Sequence, residues 1–471
     1  MSSSHKGDVL TPLLESDTPL SVKKVSFRNF ILFCICFSVS HATVDGVLIY
    51  ATAELGESLG AVSGGILYIF YSFSALFLAK AFLRYNGART SLLFGLCFLL
   101  TYVTTFVVAL GIPSIKWFIC VPGSILGGLG AGILWVAQGS YYSQSSHLYA
   151  VESHITVDAA HNELAGYFAF IYLGSEALGK FLVTVIYMIY PNNEWEIIAF
   201  AIYAALACMS TVASFSIQQL DAQGDNVHTG TNEDTTDMTI RESCDSSGAL
   251  QVGERRSRVK SIELALWREL FSVYTLVRYD WIFLSLQAYQ VSFGFTAAFM
   301  TYYVDGIILP DGGKKGYIGL LSSVTVLVAA AAALPLAWFA NSNGRHAVMI
   351  TGALCFAVCC SMVLYIRDDT IADWVVIVPL VVLYGLGRGI WENTNKATVA
   401  DMYQTSQNER DKAFAGIYFF SGLGAAVGYF VFKFISRFEM GMTTVAIAIL
   451  ALIGNHYCCL QMKISKASNI G

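Results

Sequence analysis

Long apolar runs alternate with short polar breaks along this chain. A helix needs about 20 apolar residues to cross a bilayer. Twelve such runs stand out, at roughly 27–51, 60–80, 88–111, 117–139, 163–189, 195–217, 279–303, 316–340, 346–366, 372–392, 411–436 and 441–461. They are continuous and do not alternate with period two, so they predict helices and not the strands of a barrel. A helix also satisfies its own backbone hydrogen bonds in lipid. Three polar stretches frame the runs: a tail at 1–26, a linker at 218–278 and a short tail at 462–471. The expected fold is all-α: a polytopic membrane protein with twelve transmembrane helices in two halves, 27–217 and 279–461. The tail at 1–26 and the acidic, Ser/Thr-rich start of the linker read as disordered. Residues 261–275 place Ile262, Leu266 and Phe271 on one stripe, which predicts a short amphipathic helix at the membrane surface.

The two halves look like copies. Residues 128–133 read GLGAGI and residues 385–390 read GLGRGI, an offset of 257. Asn86-Gly87 and Asn343-Gly344 repeat the same offset. Ala165-Gly166 with Gly174 matches Ala415-Gly416 with Gly424 at an offset of 250. Six spans, a linker and six spans is a layout that resembles the major facilitator superfamily, whose halves are parallel repeats. The loop after span 2 carries part of that superfamily's basic loop motif in Arg84, Gly87 and Arg89, with Leu83 where an acidic residue is expected.

Composition agrees with this picture. Only 13% of residues are charged, against about 25% in soluble domains. Most lysines and arginines flank the N-terminal side of the spans, which predicts both termini in the cytoplasm. Thr11-Pro12-Leu13-Leu14-Glu15 resembles a dileucine sorting string, so the plasma membrane and an endolysosomal membrane are the two expected locations. No basic block suits nucleic acid. Neither a nucleophile–base pair, a phosphate loop nor zinc spacing stands out, so no enzyme, cofactor or metal is expected. His147, His154 and His161 share seven-residue spacing between spans 4 and 5 and read as a solvated face before a metal site. The lipid bilayer is the one assured partner.

Ionisable groups inside spans are costly and are functional candidates by default. Asp45 lies in span 1 with His41 nearby. It reads either as a proton-coupling carboxylate or as an Asp-Gly turn at the span's outer end. The similar string Val304-Asp305-Gly306 favours the turn. Glu176 and Lys180 are four apart in span 5, as are Arg388 and Glu392 in span 10, so each couple can pair on its own helix. The first reads as a neutralised structural pair or a mid-membrane cation site, the second as an inner-gate or structural pair. Gly128, Gly385, Gly389, Gly424 and Gly428 recur at four-residue spacing and predict close helix packing. Trp135 reads equally as an interface anchor or a cavity wall; Tyr141 and Tyr142 read as anchors.

Gly130, Gly132, Trp135, Gln138, Gly139 and Tyr141 together resemble the span 4 motif of the Unc-ninety-three-like (ion channel regulatory protein) family, a branch of the major facilitator superfamily. The resemblance implies twelve spans. It also implies one of two roles. One is a secondary transporter of a small solute or ion working by alternating access. The other is a non-transporting partner of a membrane protein, either a potassium-channel regulator or a trafficking subunit for receptors.

Overall fold

The computed structural model describes residues 20–191, 195–220, 278, 280–395, 398, 402 and 407–468. The sorting string at 11–15 and the amphipathic helix expected at 261–275 lie outside these residues, as does most of the linker and of the tail at 1–26. The first half contains α1 (Leu20–Leu55), α2 (Glu57–Phe73), α3 (Ala79–Gly111), α4 (Lys116–Ser153), α5 (Val157–Ile189) and α6 (Trp195–Ser214). The second contains α7 (Trp281–Phe299), α8 (Ile318–Asn343), α9 (Arg345–Tyr365), α10 (Trp374–Ile390), α11 (Gln407–Phe432) and α12 (Arg437–Ser468). No strand occurs among the described residues.

Among the described residues, eleven segments are long and apolar enough to cross a membrane. One of them, Glu57–Gly111, runs 55 residues, about 82 Å of helix and more than twice a hydrocarbon core. It is broken at Gly87, whose φ of 74° and ψ of 168° are non-helical.

The chain turns where glycine alone is comfortable. Positive φ occurs at Gly56 (86°), Gly87 (74°), Gly313 (68°) and Gly344 (86°). Gly56 and Gly313 are 257 positions apart, as are Gly87 and Gly344. Pro122 inside α4 and Pro379 inside α10 repeat the same spacing. The duplication read from GLGAGI and GLGRGI thus extends to backbone conformation. Other ends carry side-chain caps. Thr156 Oγ1 accepts from Ala159 N at 3.2 Å before α5, and Asp280 accepts from Ile282 N and Phe283 N at 3.0 and 2.9 Å before α7. Arg89 of the loop motif donates to the carbonyls of Phe215 and Ile217 at 2.7 and 2.5 Å, which ties α3 to the end of α6.

The glycines of α4 and α10 set the packing. A Cβ on Gly128 would lie 2.3 Å from Leu67 O of α2, and one on Gly132 2.5 Å from Ala75 N in the helix that continues α2. One on Gly130 would lie 2.5 Å from Phe98 Cβ of α3. At the equivalent positions Gly385 and Gly389 meet Thr325 and Ala329 of α8, and Gly387 meets Phe356 of α9. Each glycine therefore faces the repeat-equivalent helix, which is the close approach small residues permit. Gly424 and Gly428 lay α11 on Val291 and Ala298 of α7. Between the halves, α2 meets α11, α5 meets α8, and α1 meets the end of α7. Large apolar side chains such as Phe118, Phe170, Leu178 and Val375 point outward, as lipid-facing surfaces require.

Candidate functional site

Three helices loosen into π-helical turns, at Ser74–Leu78 after α2, Met300–Ile308 after α7 and Trp391–Asn395 after α10. Such bulges re-aim side chains and concentrate at functional sites. The last two deliver Met300, Thr301, Asp305, Trp391 and Glu392 to one central cavity of about 210 Å³. The first half lines it with His41 and Asp45 of α1, Tyr68 and Tyr71 of α2, Ala131 and Trp135 of α4, and Tyr172 and Lys180 of α5. The second half adds Tyr384 and Arg388 of α10 and Tyr418 of α11.

One wall of this cavity is a charged knot that joins the halves. Glu176 is 1% exposed. Arg388 closes a fork on it, Nη1 to Oε1 at 2.7 Å and Nη2 to Oε2 at 2.8 Å. Lys180 Nζ donates to the same Oε1 at 2.6 Å. A bidentate guanidinium–carboxylate pair is both strong and directional. Sequence spacing paired Glu176 with Lys180, and that pair exists. The stronger partner comes from the other half, 212 positions away. Arg388 and Glu392 both line the cavity.

Asp45 sits inside α1, well before its end at Leu55, with His41 Nδ1 at 3.4 Å from Oδ2. It lines the cavity, and the turn reading does not hold. The same correction applies to Asp305, which is 6% exposed, lines the cavity from the π-helical stretch and accepts from Ser322 Oγ at 3.5 Å. The glycine after each aspartate serves packing. A Cβ on Gly46 would strike the Tyr203 ring at 2.4 Å, and one on Gly306 would meet Thr52 Cβ at 2.5 Å. In each Asp-Gly string the first residue faces the cavity and the second seats a helix crossing.

The family-motif residues divide. Trp135 belongs to the cavity and not to an interface belt, with ring centroids 5.2 Å from His41, 5.6 Å from Tyr172 and 6.3 Å from Tyr418 of the other half. Tyr141 is wholly buried, accepts from Asn29 Nδ2 at 2.5 Å and donates to Gln218 O at 2.9 Å. It is therefore no anchor, since a buried phenol needs those partners. Gly130 and Gly132 pack; Gln138 is half-buried, and Gly139 faces open space.

Two arrangements escaped sequence reasoning. Trp391 stacks on Phe293 with centroids 3.9 Å apart, and its Nε1 donates to Gln290 Oε1 at 2.8 Å. Gln290 Nε2 in turn donates to Asn395 Oδ1 at 2.9 Å. The far end of the cavity, away from the termini, is tied shut across the halves. Lys315 Nζ reaches Glu54 at 2.9 Å and Glu196 at 3.1 Å. Thr184 Oγ1 donates to Gly316 O at 3.0 Å, and Tyr50 Oη accepts from Gly319 N at 3.0 Å. Polar residues in loop sequences carry no mark of such long-range pairing. The helix between the first two histidines ends at His154, whose φ is 54°. Among the described residues no group of three His, Cys, Asp or Glu side chains gathers to hold a metal.

Comparison with known proteins follows the same division into halves. The Major Facilitator Superfamily model matches residues 292–460, and the model for Ion channel regulatory protein UNC-93 matches residues 53–246. Protein unc-93 homolog A of Homo sapiens is 22% identical over 422 residues, covering 86% of this chain and 88% of that one. Among solved structures, a peptide transporter POT in complex with alafosfalin has a TM-score of 0.61 at 11% identity, over 92% of this chain and 95% of its own. A D-xylose-proton symporter has a TM-score of 0.58 at 14% identity, over 93% and 96%. At these identities the structures establish the fold. The first half is thus similar to the ion channel regulatory protein UNC-93 family and the second to the Major Facilitator Superfamily, and over most of its length the chain is similar to protein unc-93 homolog A.

Proposed function

We propose that this protein is a secondary transporter that moves a small solute or ion by rocking its two halves about the central cavity. The observation that carries this reading is the cavity itself. It lies between the halves, and charged side chains from both line it: Asp45 and Lys180 from one, Arg388 and Glu392 from the other. Buried charge is costly in a membrane core, and simple packing does not call for it. Glu176 and Arg388 would register the halves in this conformation, while Lys315, Glu54 and Glu196 would close the end away from the termini. The solved neighbours named above are described as transporters, which supports the same mode of action. In this reading both termini and the linker 218–278 lie in the cytoplasm, and the membrane is the plasma membrane or an endolysosomal one.

The family description favours a second reading. The UNC-93 model is that of an ion channel regulatory protein. A non-transporting subunit would bind another membrane protein, such as a potassium channel or a receptor in transit, and its intramembrane charges would serve structure alone. Uptake by purified protein in liposomes separates the two. Transport predicts saturable uptake of at least one solute, lost in Glu176→Gln or Asp45→Asn. Absence of uptake across ions and small metabolites would favour the regulator, and undiminished uptake in both variants would remove these residues from the mechanism.

A further inference from the structure

The transporter reading leaves open which class of solute the cavity takes, and the inference here rests on that reading. Glu176 is already shared: both of its oxygens serve Arg388, and one also serves Lys180. These three groups together carry one net positive charge. Asp45 and Asp305 line the same cavity. With both carboxylates ionised, these five groups are negative by one charge with His41 neutral and balanced with His41 protonated.

Asp305 is the most exacting of these groups. It is 6% exposed, and its hydrogen bond to Ser322 Oγ is 3.5 Å long, at the limit for such a bond. A carboxylate buried in a membrane core calls for a positive partner. Lys180 and Arg388, the basic residues on the cavity wall, are both committed to Glu176. Asp45 and Asp305 stand in similar Val-Asp-Gly strings, and the two carboxylates reach the cavity from α1 and from the π-helical stretch after α7.

Much of the rest of the wall is aromatic, among aliphatic and hydroxyl side chains. Tyr68, Tyr71, Trp135, Tyr172, Tyr384 and Tyr418 line it. Aromatic faces attract a cation within about 6 Å of their centroids and suit bulky, weakly hydrated cations best. A hard inorganic cation would want about six to eight oxygen ligands in a tight shell, and among the described residues no three His, Cys, Asp or Glu side chains gather to begin one. An anion would face Asp45 and Asp305 with the basic groups already engaged. A neutral solute would leave Asp305 to share Lys180 with Glu176 as its counter-charge.

We infer that the cavity binds an organic monocation, an amine or quaternary ammonium, between Asp45 and Asp305 and against the aromatic wall. The test is binding to the purified full-length protein in detergent, read by thermal stabilisation and by tryptophan fluorescence. The probes are tetramethylammonium and benzyltrimethylammonium, matched against benzenesulfonate, benzyl alcohol and potassium chloride. Saturable stabilisation by at least one organic cation is expected, with none by the anion, the neutral alcohol or potassium at equal concentration. Asp305→Asn and Asp45→Asn should each weaken that binding by about tenfold or more, as loss of a buried charge partner does. Asp305→Glu, which keeps the charge, should retain binding and answers for any Asn variant that does not fold. Stabilisation by the anion or the alcohol equal to that by the cations would overturn the inference. So would the absence of stabilisation by either cation, or unchanged affinity in both Asn variants. Cation binding without uptake would sink the transporter reading and leave the ligand class standing; uptake of another solute without cation binding would do the reverse.

Discussion

The two halves share a scaffold and differ in what they show to the cavity. At an offset of 257 the packing glycines of α4 and α10 face the same neighbours, and Gly87 and Gly344 turn the chain in the same way. The lining positions beside them have diverged. Ala131 and Trp135 of α4 correspond to Arg388 and Glu392 of α10, and all four line the cavity. On α5 and α11 the imbalance runs the other way. Glu176 of α5 corresponds, at the offset of 250, to buried Ala426 of α11. Charge thus lies diagonally. The α5–α10 side joins the halves through Glu176 and Arg388, while the α4–α11 side joins them through Trp135 and Tyr418, stacked at 24°. The lesson is that packing positions were held by the geometry of helix crossings, while cavity positions were free to specialise.

The largest expected effect comes from breaking the charged side. Glu176→Gln leaves Arg388 and Lys180 without their carboxylate, at a cost of roughly 3–5 kcal/mol, read as a fall in melting temperature of the purified protein. Replacing all three by leucine or methionine should recover most of that stability and still abolish uptake. Recovery of uptake with stability would make the knot purely structural.

Next come the shared glycines. Gly128→Ala and Gly385→Ala would push a Cβ to within 2.3 Å and 2.6 Å of backbone oxygens. Each should destabilise by roughly 1–3 kcal/mol, as overpacking does, and Gly128 should suffer more. Gly139→Ala, which meets nothing within 4 Å, should leave the melting point unchanged or raise it. A uniform response at the three sites would contradict the packing account. Gly87→Ala and Gly344→Ala should cost similar amounts, roughly 1–2 kcal/mol each, because both hold positive φ. Unequal losses would mean that the two turns are not equivalent.

The smallest effect concerns the far-side closure. The Lys315 side chain is 33% exposed, so its ion pairs are partly screened, and Lys315→Ala should cost about 1 kcal/mol or less. It should nevertheless make a cysteine placed at Thr52 more reactive to a membrane-impermeant thiol reagent. Unchanged labelling would show that the ion pairs do not hold this end closed.

Much of the fold was legible because lipid imposes a simple rule. Continuous apolar runs must be helices, and a repeated glycine string marks repeated close crossings. The site was harder. Spacing along a sequence reports neighbours on one helix, so it found Glu176–Lys180 but had no access to Arg388 across the interface. Asp305 was assigned to an outer turn because an Asp-Gly pair has the same composition in a turn and in a π-helical bulge. Tyr141 looked like an interface residue, and Trp135 was left between interface and cavity, because aromatic type does not reveal depth. The pairs Gly56–Gly313 and Pro122–Pro379 were available at the same offset and would have strengthened the duplication without any structure.

The central claim is that the halves move as two bodies about the cavity. Spin labels at Ser114, in the α3–α4 connection, and Asp369, in the α9–α10 connection, sit on exposed residues of different halves at the closed end. Pulsed dipolar distance measurement on purified protein in lipid nanodiscs tests the claim most directly. The account predicts two distance populations, with the shorter favoured in the native chain and the longer enriched by Lys315→Ala. A single narrow distance, unmoved by that substitution, would contradict it.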